Sequence, residues 1–246
     1  MNRGFYYASN GMIMNQRKID CIGNNLANAS TAGFKRDTIL INRFDEQMIL
    51  VKHREEISGT FAESYVDTSY TDLNQGFPEY TDSPFDVAIM GDVYFNIAGY
   101  NGQVMLTRNG NWELDSEGYL CLNNSGRILG ENGEIYLGNK DFVIDVDGAI
   151  YIDGMLVDRL RLSYIDPESD VTKFGANMFT SVQATDVIPE GVRFDIIQGA
   201  IERSNVDWNY ELTMMMNANR LYEASSTILK LCDTMNQGSN QLCKRA

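Results

Sequence analysis

Residues 210–242 read YELTMMMNANRLYEASSTILKLCDTMNQGSNQL, and one stripe through them decides the fold. Tyr210, Met214, Asn217, Leu221, Ala224, Ile228, Leu231, Met235, Gly238 and Leu242 recur at alternating steps of four and three. That is the 3.5-residue repeat of a coiled-coil seam. Ser204, Asn205 and Asp207 just upstream supply an N-cap and a capping-box-like Ser-x-x-Asp. The pattern predicts a helix roughly three times the usual length of about 11–12 residues.

The N-terminus repeats the arrangement. Phe5, Ala8, Met12, Asn15, Ile19, Ile22 and Leu26 follow the same alternation, and Asn28, Ala29, Ser30, Thr31 and Gly33 mark where the helix stops. Each seam carries an internal asparagine, Asn15 and Asn217, a residue that fixes register or oligomer state at such a position unless it is simply exposed. Burying a large apolar side chain is worth roughly 1.5–3 kcal/mol. Ordering each residue's backbone costs about 1–2 kcal/mol. One narrow stripe therefore cannot stabilise a lone helix, and the two ends need each other or other copies of the chain.

Between the ends the period changes. Asn101-Gly102, Asn109-Gly110, Glu117-Gly118, Ser125-Gly126, Asn132-Gly133, Asp147-Gly148 and Asp153-Gly154 punctuate short strand-like runs such as Gln103–Thr107 and Tyr119–Leu122. Asn-Gly and Asp-Gly favour tight hairpin turns. The expected fold class is α+β: long N- and C-terminal helices with a central, mostly antiparallel β domain. The boundaries expected are 1–36 and 200–246 for the helical ends, 37–80 for an extended connecting segment, and 81–199 for the β-rich domain.

Composition narrows the function. The chain has 246 residues with 43% hydrophobic and 11% aromatic residues, so a sizeable core can form. Its net charge of −14 argues against binding to nucleic acid backbones. The charge is uneven: residues 1–36 carry +4, 200–246 carry 0, and 37–199 hold −18. One histidine, His53, removes His-rich zinc sites and most acid–base triads. Cys21, Cys121, Cys232 and Cys243 show no C-x-x-C and read as buried thiols. No phosphate-binding, nucleophile-elbow or zinc-protease motif occurs. Asp145-Val146-Asp147-Gly148 fails as a calcium loop, because Val143 and Gly154 stand where a carboxylate and a glutamate are required. Met214-Met215-Met216 spreads around a helix and packs rather than binding a soft metal. No catalytic, cofactor or metal residue is assigned. Neither an apolar leader nor a run long enough to span a membrane is expected.

The run Ile19–Arg36, IDCIGNNLANASTAGFKR, with Gln75-Gly76, Phe85–Ile89, Leu106–Gly110, Gly118–Leu120, Gly175–Phe179 and Gln198–Val206, resembles the bacterial flagellar rod and hook proteins. The resemblance covers nearly the whole chain in order. It departs at Ala29-Ser30, Gly23 and Met105, where that family more often has Val-Asn, Ala or Ser, and Tyr. It implies a structural subunit of the flagellar basal-body rod, not an enzyme. Such a subunit is exported through the flagellar apparatus without a cleaved leader and assembles helically with copies of itself and other axial proteins to transmit torque toward the hook.

Assembly residues implied on this view are Phe5, Met12, Asn15, Ile19, Ile22, Asn24, Asn25, Leu26, Asn28, Gly33, Phe34, Asn205, Tyr210, Asn217, Arg220, Leu221, Tyr222, Glu223, Ile228, Leu231 and Met235. Asn24, Asn25, Asn28 and Gly33 shape the turn after the first helix. Arg220 and Glu223 either bridge neighbouring helices or form an i,i+3 surface pair. Arg108 either contacts an adjacent subunit or sits solvated in a turn. Other classes left open by the residues are a hook-type axial protein, a monomeric β-rich binding module and a cell-wall-acting enzyme using paired carboxylates.

Overall fold

The computed structural model describes residues 3–43, 64–99, 103–123, 125–138, 141–166, 171–175, 177–180, 184–189 and 191–243. His53, the Asn101-Gly102 turn and Ala176 lie outside them, as do the side chains at 238–243. The chain divides into two compact units. A helical unit consists of Met1–Ala27, Asp37–Asp72 and Val206–Ala246, and a β unit of Asn28–Arg36 and Leu73–Asn205. The fold is α+β, as the two periodicities predict.

In the helical unit, α1 (Arg3–Ala27) packs against α2 (Trp208–Cys243), and the strands β1 (Asp37–Arg43) and β2 (Ser64–Thr71) pair antiparallel. Asp207 caps α2, its Oδ1 accepting from the N–H groups of Asn209 at 2.9 Å and Tyr210 at 3.1 Å. The helices run antiparallel. A Cβ added to Gly4 would lie 3.5 Å from Cys232 Sγ, and one on Gly11 would lie 3.3 Å from Ser225 Oγ.

The face of α2 turned to α1 is not the stripe singled out from sequence. Buried or half-buried on α2 are Glu211, Met215, Ala218, Tyr222, Ser225, Leu229 and Cys232, a four–three series displaced by one residue from the Tyr210 series, with Ser226 half-buried beside it. Small residues meet along this contact: Gly4 of α1 faces Cys232, Gly11 faces Ser225, and Ala8 and Ala218 are both buried.

The β unit holds β3 (Pro78–Tyr80), β4 (Val87–Met90), β5 (Val93–Gly99), β6 (Val104–Thr107), β7 (Trp112–Leu114), β8 (Leu120–Leu122), β9 (Gly126–Gly130) and β10 (Gly133–Glu134). It continues with β11 (Phe142–Ile144), β12 (Ala149–Ile152), β13 (Met155–Arg159), β14 (Leu162–Tyr164), β15 (Thr172–Phe174), β16 (Met178–Thr180), β17 (Asp195–Gln198) and β18 (Ala200–Glu202). A nine-stranded sheet runs β15-β16-β6-β5-β9-β8-β7, with β10 on β9 and β14 on β5. Beside it lie a three-stranded sheet, β11-β12-β13, and the pairs β17-β4 and β18-β3. Every pairing is antiparallel.

Five of the glycine dipeptides close hairpins: 117–118 joins β7 to β8, 125–126 β8 to β9, 132–133 β9 to β10, 147–148 β11 to β12, and 153–154 β12 to β13. Asn109-Gly110 does not. The strands on either side, β6 and β7, have different neighbours. Gly110 is there because the backbone passes so close that a Cβ would fall 1.6 Å from Val87 O. The main core gathers Val87, Phe95, Ile97, Trp112, Leu120 and Ile128, with Phe95 and Trp112 edge to face at 4.8 Å.

Candidate functional site: an exposed seam and a buried ion cluster

The Tyr210 stripe of α2 is outside. Leu221 is 54% exposed, Ile228 50%, Leu231 58% and Met235 71%. Tyr210, Met214, Asn217 and Ala224 on the same stripe are exposed too. At spacings of three and four these side chains form one stripe, apolar except at Asn217, along more than six turns of helix. Arg220 and Glu223 flank it, both exposed. On α1, Ile22 is buried and Met12, Asn15, Ile19 and Leu26 are half-buried, whereas Phe5 is exposed. Of the helix residues assigned to assembly from sequence, Met12, Asn15, Ile19, Ile22, Leu26 and Tyr222 are thus buried or half-buried, and Phe5 and the outer α2 stripe are exposed.

The asparagines of the 19–36 run divide as well. Asn24 is exposed, while Asn25 is buried. The Asn25 side chain behaves like a strand partner. Its Nδ2 donates to Asp37 O at 2.8 Å and its Oδ1 accepts from Asp37 N at 3.0 Å. Cys21 Sγ donates to the same carbonyl at 3.3 Å. Two turns of α1 are thereby tied to the first residue of β1.

Asn28–Arg36 belongs to the β unit, although sequence grouped it with the N-terminal helix. Thr31 N donates to Asn28 O at 3.1 Å and closes the first bend. Gly33 has φ 67°, and a Cβ there would meet the Arg108 carbonyl carbon and Asn109 N at 2.5 Å. Only glycine meets both conditions. Gly33 N then donates to Glu202 O at 2.8 Å, Asn177 Nδ2 donates to Ala32 O at 3.0 Å, and Phe34 is buried with Lys173 Nζ 4.2 Å over its ring.

Lys35 is fully buried. Its Nζ donates to Glu202 Oε1 at 2.6 Å and to Asn74 O at 2.7 Å. Arg108 approaches from the other side, donating through one nitrogen to Glu202 Oε2 at 3.1 Å and through another to Gly91 O at 2.5 Å. Gly76 N adds a third donor to Glu202 at 2.9 Å. One buried carboxylate thus gathers a lysine, an arginine and a backbone amide. The Arg108 guanidinium lies 4.5 Å over the Tyr94 ring, and burial pushes the Tyr94 hydroxyl from 10.0 up to about 12.

Arg108 is therefore neither solvated nor available to an adjacent subunit. Neither Glu202 nor Lys35 was picked out from sequence. The Gly-Phe-Lys and Ile-Glu-Arg runs containing them were visible, but not that they pair across 167 positions. Asn205 completes the cluster. Its Oδ1 accepts from Arg36 N at 2.8 Å and its Nδ2 donates to Asn74 O at 3.1 Å.

A cavity of about 330 Å³ elsewhere in the β unit is lined by Glu131, Asp147, Arg159, Arg161 and Asp186. Asp186 is bonded to Arg161 and to Ser163 Oγ, and these bonds hold its carboxyl below the usual range. That is the reverse of what a general acid needs. Among the described residues no group of three His, Cys, Asp or Glu stands placed to hold a metal ion. No described helix is long and apolar enough to cross a membrane.

Comparison with known proteins agrees along the whole chain. Residues 5–35 match the model of the flagella basal body rod protein family. Residues 88–152 match the D1 domain of the flagellar hook protein FlgE/F/G family, and 197–242 the C-terminal region of the flagellar basal body rod FlgEFG proteins. Flagellar basal-body rod protein FlgG of Bacillus subtilis is 30% identical over 96% of this chain and 97% of its own length. FlgG of Caulobacter vibrioides is 29% identical, again over 96% and 97%. FlgF of the same organism is 27% identical over 100% of this chain and 98% of its own.

Proposed function

This chain belongs to the flagellar basal-body rod protein family and is a structural subunit of the rod, and from that premise we propose that it polymerises with copies of itself through the outer seam of α2. Membership implies assembly with axial flagellar proteins, and the family is not enzymatic. The observation that carries the finer reading is the apolar strip Leu221, Ile228, Leu231 and Met235, half or more exposed at each position. Covering the part of each side chain still exposed contributes roughly 1–2 kcal/mol. Monomeric proteins rarely leave so long a strip to water.

On this reading the helical unit is the polymerising part. The β unit holds most of the acidic 37–199 stretch, whose net charge is −18. The subunit leaves the cell through the flagellar export apparatus, and its place in the rod passes torque toward the hook. Thiols rather than a cross-link at Cys121 and Cys232 suit passage of an unfolded chain.

The test is the paired substitution Leu221→Asp and Ile228→Asp in the full-length chain. The helical circular-dichroism signal should persist while sedimentation shows monomer and cells lose motility. Rods of normal length built from that variant would refute the role of the seam.

A further inference from the structure

The three-stranded sheet of the β unit has one dry face and one wet face. Phe142, Ile144, Ile150 and Ile152 are buried on the first. On the other, the register places Val143 opposite Tyr151 and Tyr151 opposite Leu156. Directly opposed side chains lie about 4.5–5.5 Å apart at Cβ, so these three form a row across the sheet. Val143 and Leu156 are each 62% exposed. Val157 at the register shift of β13 and Val146 in the first hairpin turn are exposed as well, whereas exposed Met155 pairs with Ile152 and belongs to the other face. β13 is one of the two edge strands of this sheet, and β11 is the other.

An exposed apolar row ending on an edge strand invites a partner, and the surrounding charge says which kind. Asp141 precedes β11, Asp145 and Asp147 lie in the turn to β12, and Asp153 lies in the turn to β13, all exposed. Arg159 is the exposed cation within 141–159. Two copies meeting face to face here would bring four carboxylates against four. The register shift between Ile150 and Tyr151 also bends β13 away from the flat geometry that edge-to-edge pairing needs. Nucleic acid and anionic lipid carry the same sign as this rim.

We propose that this face docks a different protein, one presenting an apolar strip flanked by Lys and Arg. Apolar contact at Val143, Tyr151 and Leu156 supplies the buried centre, and the aspartates select the partner by charge. The surface lies wholly in the β unit, so its failure leaves the α2 seam reading untouched.

The experiment places the photo-cross-linking residue p-benzoylphenylalanine at Leu156 of the full-length chain in motile cells, and at Val143 as a second site. Exposed Glu113 serves as the control position. The expected result is an adduct from both sites to another polypeptide whose cross-linked peptide carries apolar residues beside Lys or Arg. Asp141→Lys with Asp147→Lys should lower its yield at least tenfold while rods still form. An adduct to a second copy of this chain overturns the proposal. So does a yield no higher than at Glu113, or one unchanged by the charge reversal.

Discussion

Lys35 Nζ sits 2.6 Å from Glu202 Oε1 with both side chains inaccessible to water, a contact between residues 167 positions apart. Glu202 also holds Arg108 and the amide of Gly76, so removing it strands two buried cations. Glu202→Ala should destabilise the protein by roughly 3–5 kcal/mol. Lys35→Met leaves Glu202 paired with Arg108 and should cost less, roughly 1–3 kcal/mol. Urea titration of both variants, followed by circular dichroism, gives the order. Equal losses would mean that Glu202 is not the centre of the cluster.

Gly33→Ala tests the loop itself. The substitution adds a Cβ at positive φ and 2.5 Å from the Arg108 backbone. Left-handed strain alone costs about 1–2 kcal/mol, and the clash must displace backbone. The midpoint of thermal unfolding should fall by several degrees. An unchanged midpoint would show that the loop does not hold this conformation.

The two faces of α2 should separate stability from assembly. Gly11→Leu forces a large side chain against Ser225 at the α1–α2 contact and should cost roughly 1–3 kcal/mol. Leu231→Ser lies on the outer stripe and should change stability by less than about 0.5 kcal/mol. Sedimentation should nevertheless show weakened self-association for Leu231→Ser. Loss of helix content in Leu231→Ser would place that residue on the inner face instead.

Alkali should reveal Tyr94. Its hydroxyl is raised from 10.0 to about 12 by burial, so the folded state holds the proton more tightly than the unfolded chain does. The associated stability is complete below pH 10 and is lost as pH rises through about 12, a span worth about 2–3 kcal/mol. Tyr94→Phe has no such proton. Its stability should fall less steeply over that window than that of the parent, and parallel curves would contradict the assignment.

Much of the fold was legible because it is local. Asp207 caps α2 through bonds to residues two and three positions on. Glycine turns at 118, 126, 133, 148 and 154 join strands that neighbour one another in sequence. Asn109-Gly110 looks the same on paper, yet its glycine answers to Val87, which is distant in sequence. Asn24 and Asn25 are likewise indistinguishable by composition, and only the position of Asp37 buries the second.

Sequence by itself determined the helical and strand periods, the hairpin turns, the acidic middle and the family. Each of these follows from backbone geometry over a few residues or from an ordered run of side chains. Tertiary structure alone decided which of two adjacent α2 stripes turns inward and which buried charges meet. The α2 stripes share one period, so no interval along the chain distinguishes the one that packs on α1. Lys35, Arg108 and Glu202 carry no mutual spacing, because a charge pair depends on distance in space and on the exclusion of water, neither of which a linear interval records.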